Sequence, residues 1–289
     1  MKFIYILTEE KTDSFFIQVL TAVLVLMILV IVFYQLFFFV EFVWVKYISP
    51  KPFYRHFYFR KLKLSKDQVY ILNTQFSFYQ KLNLKQKIYF DHRVSRFIKL
   101  HKFKGRSGLY VSDQQKVLIA ATAIMLTFGY RNYTIKSLER FIIYLDVFKS
   151  KINKAYHKGE FNPAYKAVVL SWKDFLEGYN IDNDNFNLGI HEMVHAMHFD
   201  FLKPNNDSIS AILFERYYKK IKQLLQNNPT YRQNLVSSKY LRNYAFTNNF
   251  EFIAVLIESF FETPQELKNQ FPEMYSYVKK MLNFNFKGY

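Results

Sequence analysis

The sequence predicts an α+β domain that is mostly helical and contains a small β-sheet, with one transmembrane helix before it. Three observations predict this class. One long uncharged apolar run lies near the N-terminus, most other apolar residues recur at helical spacing behind capping residues, and only two short runs are β-rich. Of the 289 residues, 51% are hydrophobic and 20% aromatic, which suffices for one well-buried domain and an appendage.

Composition limits the kinds of site and partner that the chain can have. It contains no cysteine, which excludes a disulfide framework and a thiolate metal site, so histidine and carboxylate must hold any metal. The formal charge is +17, of which residues 67–289 contribute +12, with lysines interspersed among acids. We find no basic helix or aromatic-basic motif there and expect a mildly basic solvated surface, so nucleic-acid binding is not expected.

The first predicted element is a transmembrane helix over residues 15–45, after a short N-terminal segment at 1–14 with a net charge of −1. From Ser14 to Val40 no residue is charged, and about 20 apolar residues suffice to cross a hydrocarbon core of about 30 Å. Trp44 and Tyr47 lie where an interfacial aromatic belt is expected. A cleaved signal peptide is the alternative, but the apolar run is too long and its start is acidic.

A basic juxtamembrane linker is predicted at residues 46–66, which contain seven bases and no acid. By the positive-inside rule, this cluster places the C-terminal side of the helix in the cytoplasm. The sequence therefore predicts a single-pass membrane protein whose domain, residues 67–289, is cytoplasmic. The same bases can hold that domain against anionic lipid.

Within the domain, capping residues and apolar spacing define the order of the elements. Two β-rich runs are candidates for the small sheet. The predicted elements are, in order, a helix capped by Ser65 or Asp67, a helix over Leu84–Leu100, a buried helix capped by Ser112 or Asp113 that ends near Gly129, strands at 141–145 and 167–172, and two C-terminal helices that begin near Thr263 and Pro272.

The segment Gly189–His195 contains His-Glu-x-x-His in an apolar, helix-compatible run. Residues four apart lie about one turn apart on one helix face, so His191 and His195 can present two imidazole nitrogens to a single Zn²⁺. Glu192 is then placed to reach a water molecule beside the ion, and can act as general base and later as general acid. This is the chemistry of peptide-bond hydrolysis.

Five short segments of the domain follow one another in a specific order. They are Lys102–Gly105, Leu118–Ala121, Val168–Trp172, Gly189–His195 and Glu251–Val255. Their order and spacing resemble the Mlc titration factor A family, the MtfA-like zinc peptidases. The resemblance covers roughly residues 67–283 and leaves out the apolar helix. It implies a zincin-like fold, one Zn²⁺ ion and a peptide or protein substrate.

A catalytic zinc site needs a third protein ligand. His198 lies about 10 Å along the helix axis from His191, too far for the same ion, so we expect it to pack. The resemblance implies an acidic residue at that position. Glu215 has a thermolysin-like distance from the motif, although its surroundings look like a solvated helix face. Glu251 opens an otherwise apolar helix and matches the third-ligand position of the family, so we expect Glu251 and keep Glu215 as the alternative.

Three further features have two interpretations each. Glu258 lies on nearly the same helix face as Glu251, where it would orient a ligand histidine or would be a surface or capping carboxylate. By resemblance, Tyr244 corresponds to a tyrosine that donates to the oxyanion, a role that a neutral phenol can fill, although a packing role is the alternative. The strand at 168–172 is either an exposed edge that binds extended peptide or an interior strand.

The sequence-based hypothesis is a membrane-anchored zinc metallopeptidase. His191, His195 and Glu251 hold zinc, Glu192 transfers the proton, and Tyr244 stabilises the oxyanion. The alternative is a regulatory binding protein in which hydrolysis is secondary or absent. The resembled family is associated with sequestering a transcriptional repressor of sugar uptake, so a transcriptional regulator is the protein partner that the resemblance implies.

Overall fold

The computed structural model describes residues 2–53, 56–150, 154–180, 184–204 and 206–285, with side chains from residue 15 onward. The chain divides into two compact units, residues 1–52 and 53–289. Each unit has its own secondary structure.

The first unit is one long helix. Helix α1 spans Lys2–Val43 and continues as a π-helical turn at Trp44–Ile48. Extended backbone at Ser49, followed by a proline, ends the helix. The 34 residues from Phe15 to Ile48 include an 18-residue window with a mean hydropathy of 3.0, and the segment is long and apolar enough to cross a membrane.

The first helices of the second unit begin at the kind of cap that the sequence predicts. The side chains of Ser65 and Ser112 each accept a hydrogen bond from the backbone N–H of the glutamine three residues on. The side chain of that glutamine in turn accepts one from the backbone N–H of the serine, so both predicted caps are confirmed. The predicted helix over Leu84–Leu100 is also confirmed. These helices are α2 (Lys66–Gln75), α3 (Ser77–Gln80), α4 (Leu84–Leu100) and α5 (Asp113–Thr127).

The second unit also contains a four-stranded mixed sheet, in which β1 (Lys102–Gly105), β2 (Arg140–Tyr144), β6 (Ala167–Ser171) and β5 (Gly159–Asn162) lie in that order. Three strands are parallel, and β5 runs antiparallel to β6 at one edge. Both predicted strands are present, and β6 is interior, so its interpretation as an exposed edge is wrong. Strands β3 (Phe148–Lys149) and β4 (Tyr156–His157) form a separate hairpin.

The remaining chain is helical, which confirms the mostly helical α+β class. Helix α7 is central: all of its residues except His191 and Phe199 are buried. A helix buried on every side belongs to the core, so its polar residues need partners there. The helices are α6 (Trp172–Asn180), α7 (Leu188–Phe201), α8 (Ile209–Asn227), α9 (Pro229–Ser237), a 3₁₀ turn (Asn243–Phe246), α10 (Asn249–Glu262), α11 (Pro264–Gln270) and α12 (Pro272–Met281).

One fully buried cation lies in the core, at Arg93 of α4. Its Nε donates to the Tyr58 hydroxyl at 2.8 Å, one Nη to His56 Nδ1 at 2.8 Å, and the other to the main-chain oxygen of Phe128 at 2.9 Å. Burial first, and then Arg93, lower the pKa of His56 to about 3, so its neutral ring accepts. We call Arg93, His56, Tyr58 and the Phe128 oxygen the Arg93 cluster.

Other hydrogen bonds join the segment at residues 56–62 to α4. The Tyr89 hydroxyl donates to the His56 carbonyl at 3.0 Å, and the Leu62 N–H donates to His92 Nδ1 at 2.9 Å. These bonds lie within the stretch that the sequence predicts as a linker, 46–66. They favour a domain that starts before residue 56.

Candidate metal centre

Two helix starts position the groups of the candidate site. Asn187 caps α7 by accepting a hydrogen bond from the backbone three residues on, at 3.0 Å, and so fixes the turn that carries His191. His195 follows one turn later, with its ring centroid 4.5 Å from that of His191. Asn248 caps α10, and its side chain accepts from the backbone N–H of Glu251 at 3.0 Å. The two caps place Glu251 against the histidine pair.

The ligand atoms of His191, His195 and Glu251 lie within 4.8 Å of one another, and we call these residues the metal centre. Glu251 Oε2 lies 3.0 Å from His191 Nε2 and 3.3 Å from His195 Nε2. This oxygen is buried, and no described group forms a well-oriented hydrogen bond with it. Glu215 instead pairs with Lys219 at 2.6 Å on the exposed face of α8. Glu251, not Glu215, therefore meets the histidines.

The surroundings of His191 carry negative charge. Its Nδ1 lies 2.6 Å from Glu258 Oε1 and donates to it, and its Nε2 lies 3.0 Å from Glu251 Oε2. Burial lowers the pKa of His191, but its contacts with the carboxylates of Glu251 and Glu258 outweigh burial and raise the pKa to about 10. Two nitrogens and one carboxylate oxygen with an open fourth position fit Zn²⁺.

Glu258 is a buried support for His191. Its carboxylate is fully buried and accepts two hydrogen bonds from one Nη of Arg242, at 2.8 and 2.9 Å. Its Oε2 also accepts from the backbone N–H of Asn187, at 2.8 Å. The surface interpretation of Glu258 is therefore wrong. The carboxylate fixes the ring plane of His191 and adds negative charge to it.

Glu192 is buried against the edge strand β5. Burial raises the pKa of its carboxyl group, although the neighbouring histidines lower it. A Cβ built on Gly159 would lie 2.7 Å from both Cγ and Oε1 of Glu192. Only glycine at position 159 leaves Glu192 in its place.

Tyr244 lies on the 3₁₀ turn at the exposed side of the centre. Its side chain is 52% exposed, and its ring centroid is 6.2 Å from that of His191. Burial of the phenol, followed by the charge and hydrogen bond of Glu251, raises the pKa of Tyr244 to about 12. The phenol therefore keeps its proton at neutral pH and can donate it in a hydrogen bond.

His198 packs among aromatic rings, as the sequence predicts. It is buried, and its ring centroid lies 5.6 Å from that of Phe214, 5.0 Å from that of Tyr218 and 4.7 Å from that of Phe250. Burial is the main reason that the pKa of His198 falls to about 4. Its neutral ring contributes to packing next to the centre.

The edge strand β5 is an element beside Glu192 that the sequence analysis did not predict. The N–H of Ser171 donates to the Lys158 carbonyl at 2.7 Å, so backbone groups at positions 158, 160 and 162 face β6. The backbone N–H and C=O groups of Gly159 and Phe161 face the open edge, beside Glu192. A turn signal was available, because the proline at 163 follows β5 and a β-rich run comes soon after.

Comparison with known proteins agrees with this geometry. The family model described as glucose-regulated metallo-peptidase M90 matches residues 53–282. An uncharacterized protein of Synechocystis is 23% identical over 231 residues, which cover 73% of this chain and 81% of that protein. The match confirms the resemblance to the MtfA-like peptidases. With the match spanning most of its length, this chain belongs to the glucose-regulated metallo-peptidase M90 family.

Proposed function

We propose that the chain is a zinc-dependent peptidase in which His191, His195 and Glu251 hold one Zn²⁺ ion. The observation that carries this proposal is the convergence of two Nε2 atoms and one buried Oε2, which has no well-oriented hydrogen-bond partner among the described residues. Such a set repels itself unless a cation lies between its members. Membership of a metallopeptidase family supports both the metal and a peptide substrate.

In this proposal each residue around the ion has its own role in peptide hydrolysis. Zn²⁺, when bound, lowers the pKa of a water molecule to about 7. Glu192 would accept a proton from the attacking water and pass it to the leaving amine. The Tyr244 phenol, which stays protonated, donates to the substrate oxygen as negative charge develops there. Glu258 holds His191 in its orientation.

The edge strand supports an extended peptide as the substrate. The backbone groups of Gly159 and Phe161 face the open edge beside Glu192, and a peptide in extended form can pair with such an edge. Position 159 carries no side chain, which lets Glu192 pack directly against this strand. Pairing through backbone atoms predicts weak dependence on substrate sequence.

We also propose that the apolar helix anchors the peptidase to a membrane, with the domain in the cytoplasm. The support is the span Phe15–Ile48 and the seven bases at residues 46–66. Because the chain has no cysteine, one cysteine at the exposed position Val236 would report its side of the membrane. Labelling of intact cells by an impermeant maleimide would contradict the cytoplasmic placement.

The test of the peptidase proposal is Glu192→Gln in the full chain, purified in detergent. We expect this variant to keep about one equivalent of zinc and to lose peptide hydrolysis by about 10²- to 10⁴-fold, because the proton acceptor is removed and the ligands are not. Glu215→Gln, an exposed acid on α8, is the matched control and should keep both properties.

The outcomes separate the two functional hypotheses. A Glu192→Gln variant that hydrolyses peptide as fast as the parent shows that the mechanism is wrong. A parent chain that binds no zinc removes the whole proposal. A parent that binds a transcriptional regulator tightly, but cleaves no peptide, would support the sequestration alternative.

A further inference from the structure

The two histidines of the metal centre are held in different ways. Glu258 accepts a hydrogen bond from Nδ1 of His191. Nδ1 of His195 is also buried, but no residue in the described ranges accepts a hydrogen bond from it. Instead, the His195 ring is stacked on Phe250, with centroids 4.3 Å apart and planes only 4° from parallel.

Phe250 is itself fixed in position. It directly precedes Glu251 in the first turn of α10, and the Asn248 side chain accepts from the backbone N–H of both residues, at 2.8 and 3.0 Å. The Phe250 ring also stacks with His198, at 4.7 Å between centroids. The Asn248 cap therefore fixes the backbone of Glu251 and of Phe250, whose ring covers His195.

A ligand histidine needs something to fix its ring plane. The usual device is an acceptor for the second ring nitrogen, as Glu258 is for His191. A parallel aromatic ring in contact with the imidazole can do the same, because rotation about the Cβ–Cγ bond would drive one ring into the other. At 4.3 Å between centroids, the Phe250 ring leaves no room for that rotation.

We propose that Phe250 is the positioning residue of His195, and that its ring replaces the hydrogen bond that Nδ1 lacks. The stack keeps His195 Nε2 directed at the point that it shares with His191 and Glu251. This inference rests on the proposed function, in which that point is occupied by zinc. It predicts that the centre depends on a flat ring at position 250 and not on a polar group.

The experiment compares zinc affinities of the full chain in detergent, measured by competition with a chromophoric chelator. Phe250→Met keeps the apolar volume but removes the flat ring, and we expect it to weaken zinc binding by about 10- to 100-fold, as losing an orienting partner does. Phe250→Trp retains a flat ring and should stay within about threefold of the parent. Phe246→Leu is the control, since Phe246 packs on Phe252.

A second measurement does not need zinc. In the metal-free full chain with ¹³C-labelled histidine, ring currents from Phe250 displace the ring C–H resonances of His195. Phe250→Met should shift those resonances and leave those of His191 in place. If zinc affinity of Phe250→Met stays within twofold of the parent, or if Phe250→Trp loses as much as Phe250→Met, the inference is wrong.

The two proposals can fail separately. A parent chain that binds no zinc overturns the peptidase proposal. The resonances of His195 in the metal-free chain still report whether Phe250 holds its ring, and no shift in Phe250→Met overturns the positioning role. A variant that unfolds is recognised by circular dichroism, and Phe250→Leu, a smaller apolar side chain, then takes the place of Phe250→Met under the same two criteria.

Discussion

Two buried clusters of the second unit carry charge, and they differ in how far that charge is satisfied. In the Arg93 cluster, each of the three guanidinium nitrogens donates a hydrogen bond. In the metal centre, a buried oxygen of Glu251 has no well-oriented partner within the described residues, although two imidazole nitrogens lie within 3.3 Å. Buried polar groups are normally paired, so a satisfied charge is typical of a structural cluster and an unsatisfied one is typical of a binding site.

The clusters also differ in what surrounds the charge. The Arg93 guanidinium lies among neutral acceptors and the rings of Phe128 and Tyr133. These groups stabilise its charge without a further ligand. Around the two histidines of the metal centre lie three carboxylates, Glu192, Glu251 and Glu258. That excess of negative charge would favour a divalent cation. The predictions below test this contrast.

The largest expected effect is that of Gly159→Ala, whose methyl group would meet Glu192 and Leu188 beside the metal centre. The new methyl group would meet Glu192 at 2.7 Å and push its carboxylate out of line, so we expect kcat to fall by about 10²- to 10³-fold. Zinc content and unfolding temperature should stay near those of the parent. The measurements are peptide hydrolysis and metal analysis.

The control for that substitution is Tyr165→Ala, in the exposed turn that follows the same strand. It should leave kcat unchanged. If Gly159→Ala hydrolyses peptide like the parent, then Glu192 tolerates a displaced position or is not the proton acceptor.

The next largest effect is a loss of stability, expected when the Arg93 cluster is disrupted. Arg93→Met leaves the Tyr58 hydroxyl, His56 Nδ1 and the Phe128 carbonyl without their donor, which we expect to lower the free energy of unfolding by about 3 kcal/mol. The unfolding temperature should fall by roughly 10 °C, while the folded fraction keeps its zinc. Arg140→Met removes only an exposed pair with Glu139 and should change little.

Truncation tests the same cluster by removing the partners of Arg93 and leaving Arg93 in place. A chain that starts at residue 67, the boundary predicted from the sequence, lacks His56 and Tyr58 and should lose as much stability as Arg93→Met. A chain that starts at residue 53 keeps both side chains and should unfold near the temperature of the parent. Equal unfolding temperatures for the two truncated chains would show that the segment at 56–62 contributes nothing.

The smallest expected effect is that of Glu258→Gln on zinc affinity. The amide can accept one hydrogen bond from His191 but brings no negative charge, so we expect affinity to fall by about 10- to 100-fold. Glu266→Gln, at an exposed position on α11, is the matched control. An unchanged affinity would mean that His191 keeps its orientation without the charge of Glu258.

The parts of this molecule that sequence predicts are those with a local cause. His191 and His195 follow from a four-residue spacing on one helix, and Ser65 and Ser112 from the capping pattern. Glu251 lies 56 residues from His195, so spacing alone left Glu215 open until the family resemblance favoured Glu251. Tertiary contact then brings the Glu251 carboxylate to the histidines.

The features that sequence did not predict depend on distant contacts. Arg93 is one of 40 basic residues, and nothing in its neighbourhood marks it for complete burial. Strand β5 has only four residues and includes a glycine and an asparagine, which are depleted in strands. The stacking of His195 on Phe250 joins residues 55 positions apart, and no local pattern reveals it.

The hydrogen bonds of residues 56–62 have a mechanical consequence. Tension applied to the chain ahead of residue 56 reaches the second unit through His56, Tyr58 and Leu62, and these bonds transmit it to α4. His191 and His195 lie on α7, which is fixed by its own cap and by α10. Force on the chain before residue 56 would therefore load the hydrogen bonds to α4 before it could displace the helix that carries the two histidines.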